Sequence, residues 1–582
     1  MKQRNNMLFA AALLSFSLTA AGQTAKKDST LNRVVVVEKE YNPDIMDASK
    51  VNVLPKVQEP SVSKKEIEYN TSVMPFKSLD YVMKPITSNL DQAKANRGYA
   101  RLGYGNNGNV DAKVNYLFNI SKRDNLGVSA SLDGMNATLK LPEIFETTYA
   151  NRDWKSRYYR TNLDVDYQHK FDNMIFDATL NLGSDNFNYH PFLDATKAFF
   201  HQSTDKQHFS KWGMHVGIKS VDKDLPLQFQ AEANLISSKL AYPDSASLSE
   251  TILRTKGGVY GIIDENQSVG INAEMNNVFN KSLGYKNYTS LELNPYYGFS
   301  NDSWKLRLGA HVDYSSGKGK TIQFSPDLDA QYFFSNSYVA YLKVGGGREL
   351  NDLRRIMNMN PYAYFSQVND SYNQLDATLG LKANVGSGFW FNAFAGYKIV
   401  TDDLNFNNMM INYFDVAKSY ISVDDTKHFY IGSNLKYDYK GIVDLSLKGV
   451  YYSWRNSDAS YLLMKPKFDL QFNADIKVLP ELMINVGYTY VGRNDVISDF
   501  FIFPKLSASD FAVIGSSVPT TVMSVKRKLD PVNNLSLGAT YNLFKGVSIF
   551  ARINNVLNQD YQYSYSYPVQ GINFLGGLSF QF

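Results

Sequence analysis

No cysteine occurs in the 582 residues, which excludes a disulfide scaffold, a cysteine-ligated zinc site, a thiol nucleophile, an iron–sulfur cluster and a lipoprotein anchor. Runs of about 20 apolar residues, the length a membrane-spanning helix needs, are also missing, and the nearest approach is at the very start. With a mean hydropathy of −0.32, a bundle of transmembrane helices is ruled out. Charge of one sign is not in excess: 60 Lys and Arg face 56 Asp and Glu, a net +4. Nucleic acid is therefore not an expected partner. Tryptophan is scarce, at 5 residues, whereas Tyr and Phe are abundant at 40 and 36.

Residues 1–22 read as a signal peptide. Lys2 and Arg4 supply a basic start, residues 7–18 an apolar stretch, and Ala20-Ala21-Gly22 a small-residue cleavage site. An exported chain without cysteine is then expected either free outside the inner membrane or inserted in an outer membrane.

From about Arg97 onward, apolar and polar residues alternate with the period of two that puts them on opposite faces of a strand. Trp304, Leu306, Leu308, Ala310, Val312 and Tyr314 share one face, and Lys305, Arg307, His311 and Asp313 the other. Phe468, Leu470, Phe472, Ala474, Ile476 and Val478 likewise oppose Asp469, Gln471, Asn473, Asp475 and Lys477. Soluble sheets alternate too, but their strands average about five or six residues. Those read here run for about 10 to 15, and a tilted strand crosses a bilayer in about 9–11.

Connections test this independently, because outer-membrane barrels alternate short periplasmic turns with longer outer loops. Counting from the strand at residues 97–105, every even-to-odd connection is tight: 122–125, 172–173, 222–224, 264–266, 301–303, 335–337, 386–388, 440–441, 480–481 and 545–546. The long ones, 136–156, 189–205, 351–371, 403–426 and 493–530, are all odd-to-even. The parity predicts an all-β fold, a transmembrane antiparallel β-barrel of about 22 strands with both ends on the periplasmic side. Pro295 and Pro326 interrupt two of these strands, where each removes a ladder hydrogen bond. Trp304, Trp390 and Trp454 fall near strand ends, as aromatic girdles at the two interfaces require.

The C-terminal portion resembles the TonB-dependent receptors of Bacteroidota. Leu529-Asp530-Pro531 with residues 535–541 is similar to the third-last strand of that family, residues 547–561 (VSIFARINNVLNQDY) to its penultimate strand and loop, and FLGGLSFQF to its closing strand. Ile572, Phe574, Leu578, Phe580 and Phe582 share one face. The resemblance implies that Phe574, Leu578, Phe580 and Phe582 are read by the outer-membrane insertion machinery. Near the start, Val34, Val35, Val36 and Val37 are similar to the segment with which such receptors open a plug domain or contact TonB. The same run also suits a buried strand. Only about 74 residues separate the cleavage site from the first barrel strand, about half of a family plug. Three parts are therefore expected: the signal peptide, a periplasmic or lumen-threading, reduced plug-like segment over residues 23–96, and the barrel over 97–582.

Little points to catalysis, and a non-enzyme without cofactor is expected. His190, His201, His208 and His215 cluster in sequence, yet His208 and His215 are seven apart and face opposite sides of a strand, so no metal site is expected. Trp154, Tyr158, Tyr159, Phe192, Phe199 and Phe200 belong to the long connections. Aromatic residues placed there can contact a ligand or partner, or pack loop against loop. Two readings follow, a receptor or transporter for a nutrient and a structural subunit of an envelope complex with an occluded barrel. Lipid, the insertion machinery, and TonB or other envelope proteins are the expected partners.

Overall fold

The computed structural model describes residues 97–141, 153–190, 206–221, 225–241, 248–282, 284–335, 337–386, 388–409, 419–455, 465–502, 521–564 and 567–582. The signal-peptide reading, the segment 23–96 with Val34 to Val37, and Phe192, Phe199, Phe200 and His201 lie outside those residues.

Each wall strand pairs antiparallel with its neighbours, from Gly98–Gly105 to Asn573–Gln581. The last strand pairs back onto the first, with Leu102 opposite Leu578, so the sheet closes and leaves no edge. The barrel has 22 strands. One further strand in the sheet, the two-residue Ala363–Tyr364, joins in parallel to Ser419–Tyr439. No helix among the described residues is long and apolar enough to cross a membrane. A closed barrel with an apolar exterior satisfies every backbone group without water, which is what a bilayer demands.

Alternation decides which side is which. In Trp304–Ser316, Trp304, Leu308 and Tyr314 are exposed on the outer face. On the inner face of the same strand, Arg307 Nε donates to Asp327 at 2.8 Å and His311 Nδ1 lies 2.5 Å from Glu292. The closing strand turns Phe574, Leu578, Phe580 and Phe582 outward and buries Leu575 against Phe550 inside.

Turns fall where parity placed them. At the turn after Ser419–Tyr439, Lys440 (φ 53°) and Gly441 (φ 66°) are both left-handed, the geometry that a two-residue hairpin in a twisted sheet prefers. The prolines also act as expected: Pro295 opposes Ile271 on one side, while pairing to the next strand lapses between Leu293–Val312 and Tyr296–Gly309. Inside the wall, Tyr341 and Tyr430 lie flat over Gly380 and Gly396 directly across from them, so close that a Cβ there would meet ring carbon at 2.4 Å and 2.3 Å respectively. Each ring covers backbone that a side chain would otherwise shield.

Three details differ from the sequence reading. Strands continue past the bilayer: Phe389–Met409 and Ser419–Tyr439 have 21 residues each, and Asp495–Ile502 pairs with Thr521–Lys528 inside the longest connection. Lipid imposes alternation only within its own thickness, so pairing beyond it leaves no period-two signature. For the same reason Trp154, Tyr158 and Tyr159 sit in the strand Asp153–Lys170 and not in a loop. Finally, of the three girdle tryptophans only Trp304 faces out. Trp454 packs inside on His428 at 4.1 Å, and Trp390 shares the inward parity of Asn392 and Lys398, which bond Tyr341 and pair with Asp376.

A tag inserted at Tyr413 or Ser507, in long connections, should be labelled on intact cells, whereas one at Lys545–Gly546, in a tight turn, should not. Labelling at the latter site would invert the barrel's orientation.

Candidate functional site

The connection between Tyr338–Glu349 and Ser371–Gly386 lies wholly within the described residues and carries a helix. Its sequence carries a helix signal: Asp352 precedes Leu353, Ile356 and Met357, whose spacing marks one helical face. A single helix, α1 (Leu353–Met359), forms there. The Asp352 carboxylate accepts from the Arg355 amide at 2.6 Å, and Glu250, on a wall strand, accepts from the Leu353 amide at 2.8 Å. Two amides that the helix leaves without carbonyl partners are thereby satisfied. Arg355 also pairs with Glu349 at 2.5 Å.

Asp370 anchors the far end of this loop. Its side chain is fully buried and receives Lys318 Nζ at 2.8 Å, the Tyr288 hydroxyl at 3.1 Å and the Asn351 amide at 3.0 Å. A buried carboxylate is tolerable only when paired and hydrogen-bonded in this way. The middle of the loop attaches elsewhere: the Ser419 amide donates to the Tyr362 carbonyl at 3.0 Å, the Tyr285 hydroxyl donates to the Phe365 carbonyl at 3.0 Å, and Ser564 donates to Asn360 at 3.3 Å.

Apolar packing shows where the loop lies. Leu353, Ile356, Met357, Met359 and Tyr362 belong to one buried cluster that also contains Phe187, Phe209 and Leu240 from early strands and Leu404 and Ile421 from late ones. In a closed sheet of this size those strands face each other across the barrel. A loop that packs on both spans the mouth. Tyr362 stacks on Tyr567 at 3.5 Å, and Trp154 meets Tyr567 edge-on at 5.5 Å. Burial pushes the Tyr362 phenol well above its ordinary range, so it stays neutral.

Beneath this apolar cap the wall is polar and charge-paired. Arg160 and Lys211 flank Asp185 at 3.6 and 3.3 Å, Arg254 and Lys256 flank Glu274 at 3.3 and 3.0 Å, and Lys398 meets Asp376 at 3.4 Å. Partners sit on adjacent strands, so the pairs latch the wall together as well as lining a polar interior.

Of the residues singled out in sequence, Trp154 is buried in the cap cluster, Tyr158 packs beside it and Tyr159 turns outward over Gly134. The structure thus brings Trp154 and Tyr158 together with the loop and separates Tyr159 from them. His190 packs between Trp154 and Tyr567, His208 pairs with Asn186, and His215 sits between Asp177 and Asn234, each at 2.7 Å. No metal-binding cluster is found among the described residues. Glu250, Lys318, Tyr362, Asp370 and Tyr567 escaped the sequence reading because their partners are distant in the chain.

No family model and no curated protein matches this sequence. Solved structures do match in fold. The siderophore receptor PirA from Acinetobacter baumannii aligns at 10% identity with a TM-score of 0.60, covering 85% of this chain and 81% of that one. The FrpB iron transporter from Neisseria meningitidis (F5-1 variant) aligns at 12% and 0.60, covering 85% and 83%. The copper transporter OprC aligns at 12% and 0.55, covering 84% and 80%. Shared architecture of this kind and an apolar barrel exterior place the chain in the cell outer membrane.

Proposed function

We propose that the chain is a TonB-dependent receptor-like barrel that binds or imports a nutrient through its lumen, with loop 351–370 as the part that yields when solute passes. The observation that carries this reading is an apolar plate across the mouth of a polar, charge-paired interior. Such a closure excludes water while leaving a hydrophilic route beneath it. The fold neighbours, among them a siderophore receptor, an iron transporter and a copper transporter, support a receptor or transporter over an enzyme. In this reading residues 23–96 form a reduced, plug-like segment, Val34 to Val37 contact TonB, and the outward Phe574, Leu578, Phe580 and Phe582 engage the insertion machinery. Phe192, Phe199 and Phe200 are the loop contacts for a ligand or partner, Trp154 and Tyr158 belong to the buried cap that such a ligand would displace, and Tyr159 meets the lipid interface.

A second reading, a structural subunit of an envelope complex with an occluded barrel, draws on the same cap. Ile356 is 0% exposed and Leu404, across the mouth, 1%, burial more typical of a fixed core than of a mobile lid.

A covalent lock separates the two. Ala363 and Ser419 are Cα partners in a parallel bridge and both are buried. Adjacent strands lie about 4.8 Å apart, within disulfide range. The chain has no other cysteine, so Ala363→Cys with Ser419→Cys should give one defined bond. A deletion strain should lose growth on at least one medium with a single limiting nutrient, and the locked variant should restore it only after reduction. Full restoration while oxidised would exclude transport past the loop. Co-isolation of a stoichiometric set of envelope proteins would then support the structural reading.

A further inference from the structure

On the bilayer side of the late strands, the barrel surface is dented. Along one row the residues directly opposite one another are Leu381, Ala393, Ser433, Gly449 and Leu470, large at the ends and small in the middle. With Ala395 beside them they floor a groove of about 840 Å³ whose rim includes Ile431, Tyr451 and Phe468.

Above this dent, on the same two strands and the same face, Lys427 lies directly opposite Arg455. Both are exposed. Among the described residues neither has an ion-pair or hydrogen-bond partner, in contrast to the paired cations of the inner wall. Among the described residues the nearest acid on that face of the strand, Asp425, is two residues farther out, and its carboxylate accepts from the Asp402 amide at 3.1 Å. Like charges directly opposite each other in a sheet repel, so this arrangement costs free energy unless an anion lies between them.

Height decides which anion. Lys427 is six residues beyond Ser433 along the strand Ser419–Tyr439, about 20 Å of chain and about 15 Å along the membrane normal at a tilt of about 40°. The periplasmic turn at Lys440–Gly441 lies a similar distance below Ser433. With an apolar band about 25 Å tall, the groove sits near mid-membrane and the cation pair at the outer headgroup level. Phe429, exposed on the same face, bridges the interval.

We propose that Lys427, Arg455 and the groove form a binding site for a phosphorylated lipid of the outer leaflet, its phosphate held between the two cations and one acyl chain laid over Ser433 and Gly449. The guanidinium fork offers two parallel donors to phosphate, and the ammonium adds a point charge. Small floor residues let the chain approach the sheet backbone closely, and the cation pair above them sets this dent apart. The site lies outside the lumen and holds whichever reading of the lumen is correct.

The test uses the purified full-length mature protein in detergent, titrated with diphosphoryl lipid A and followed by native mass spectrometry. One lipid should stay bound to the wild type. Lys427→Gln with Arg455→Gln should weaken binding about twenty-five-fold, since each basic residue near an anionic lipid headgroup contributes about a factor of five. Gly449→Leu, whose added carbon meets only Leu470 at 3.5 Å, should fill the groove and weaken binding with both cations in place. Dephosphorylated lipid A on the wild type should bind as poorly as diphosphoryl lipid A on the double variant, a comparison that needs no mutant to fold. Equal binding of the two lipids by the wild type overturns the proposal. So does displacement of bound lipid by millimolar inorganic phosphate, which would reduce the cation pair to a simple anion patch.

Discussion

Removing residues 352–369 and rejoining Asn351 to Asp370 through a short Gly-Ser link, in a chain that also lacks residues 26–86, is expected to turn a closed barrel into a wide, steadily conducting pore. Barrels of 22 strands enclose more space than their own side chains fill, and known ones are plugged. Loop 351–370 supplies closure at the outer mouth through α1 and its apolar cluster, and the N-terminal segment is proposed to supply the rest from below. The wall should survive, because Glu349 still pairs with Ser371 and the Asn351 amide still donates to Asp370. Planar-bilayer conductance should rise modestly for either deletion alone and strongly for both, with cells becoming sensitive to large antibiotics. Small, unchanged conductance in the double deletion would mean that other outer segments close the lumen and that loop 351–370 is only one layer of the cap. A rise from the loop deletion alone, equal to that of the double, would leave residues 23–96 as a periplasmic docking tail.

Leu308→Arg is expected to block assembly of the barrel, whereas His311→Arg, three residues on, should insert nearly as well as wild type. Leu308 is 46% exposed on the outer face, near the middle of its strand. A cation there costs about 2–4 kcal/mol at the membrane midplane. His311 points inward with Nδ1 2.5 Å from Glu292, and an arginine at that position keeps an acidic partner in a polar interior. The readout is heat-modifiable migration in SDS, where an assembled barrel runs as a compact band until boiled. Comparable loss of that band in both variants would contradict the inside-outside assignment of this strand.

Strand placement and turn parity were legible because each rests on local chemistry. A strand between lipid and water must alternate residue by residue, as Trp304–Ser316 does, and a two-residue turn needs left-handed backbone, as at Lys440–Gly441. Where that double solvent stops, so does the signal. The outer halves of Phe389–Met409 and Ser419–Tyr439 pair without alternation and read as loop, and Trp390 and Trp454 point into the lumen because parity, and not residue type, sets direction.

From the sequence alone came the membrane barrel and its strand number, since these depend on the two faces every strand presents to lipid and to water. The closure of the mouth was decided only in three dimensions. Asp370 is an unremarkable loop acid until Lys318 and Tyr288 converge on it, and Tyr362 one aromatic among many until Tyr567 stacks against it. The same is true of Lys427 and Arg455, 28 positions apart, which become neighbours only through strand register. Contacts between residues far apart in the chain leave no periodicity behind them, so they become visible only when the sheet has closed.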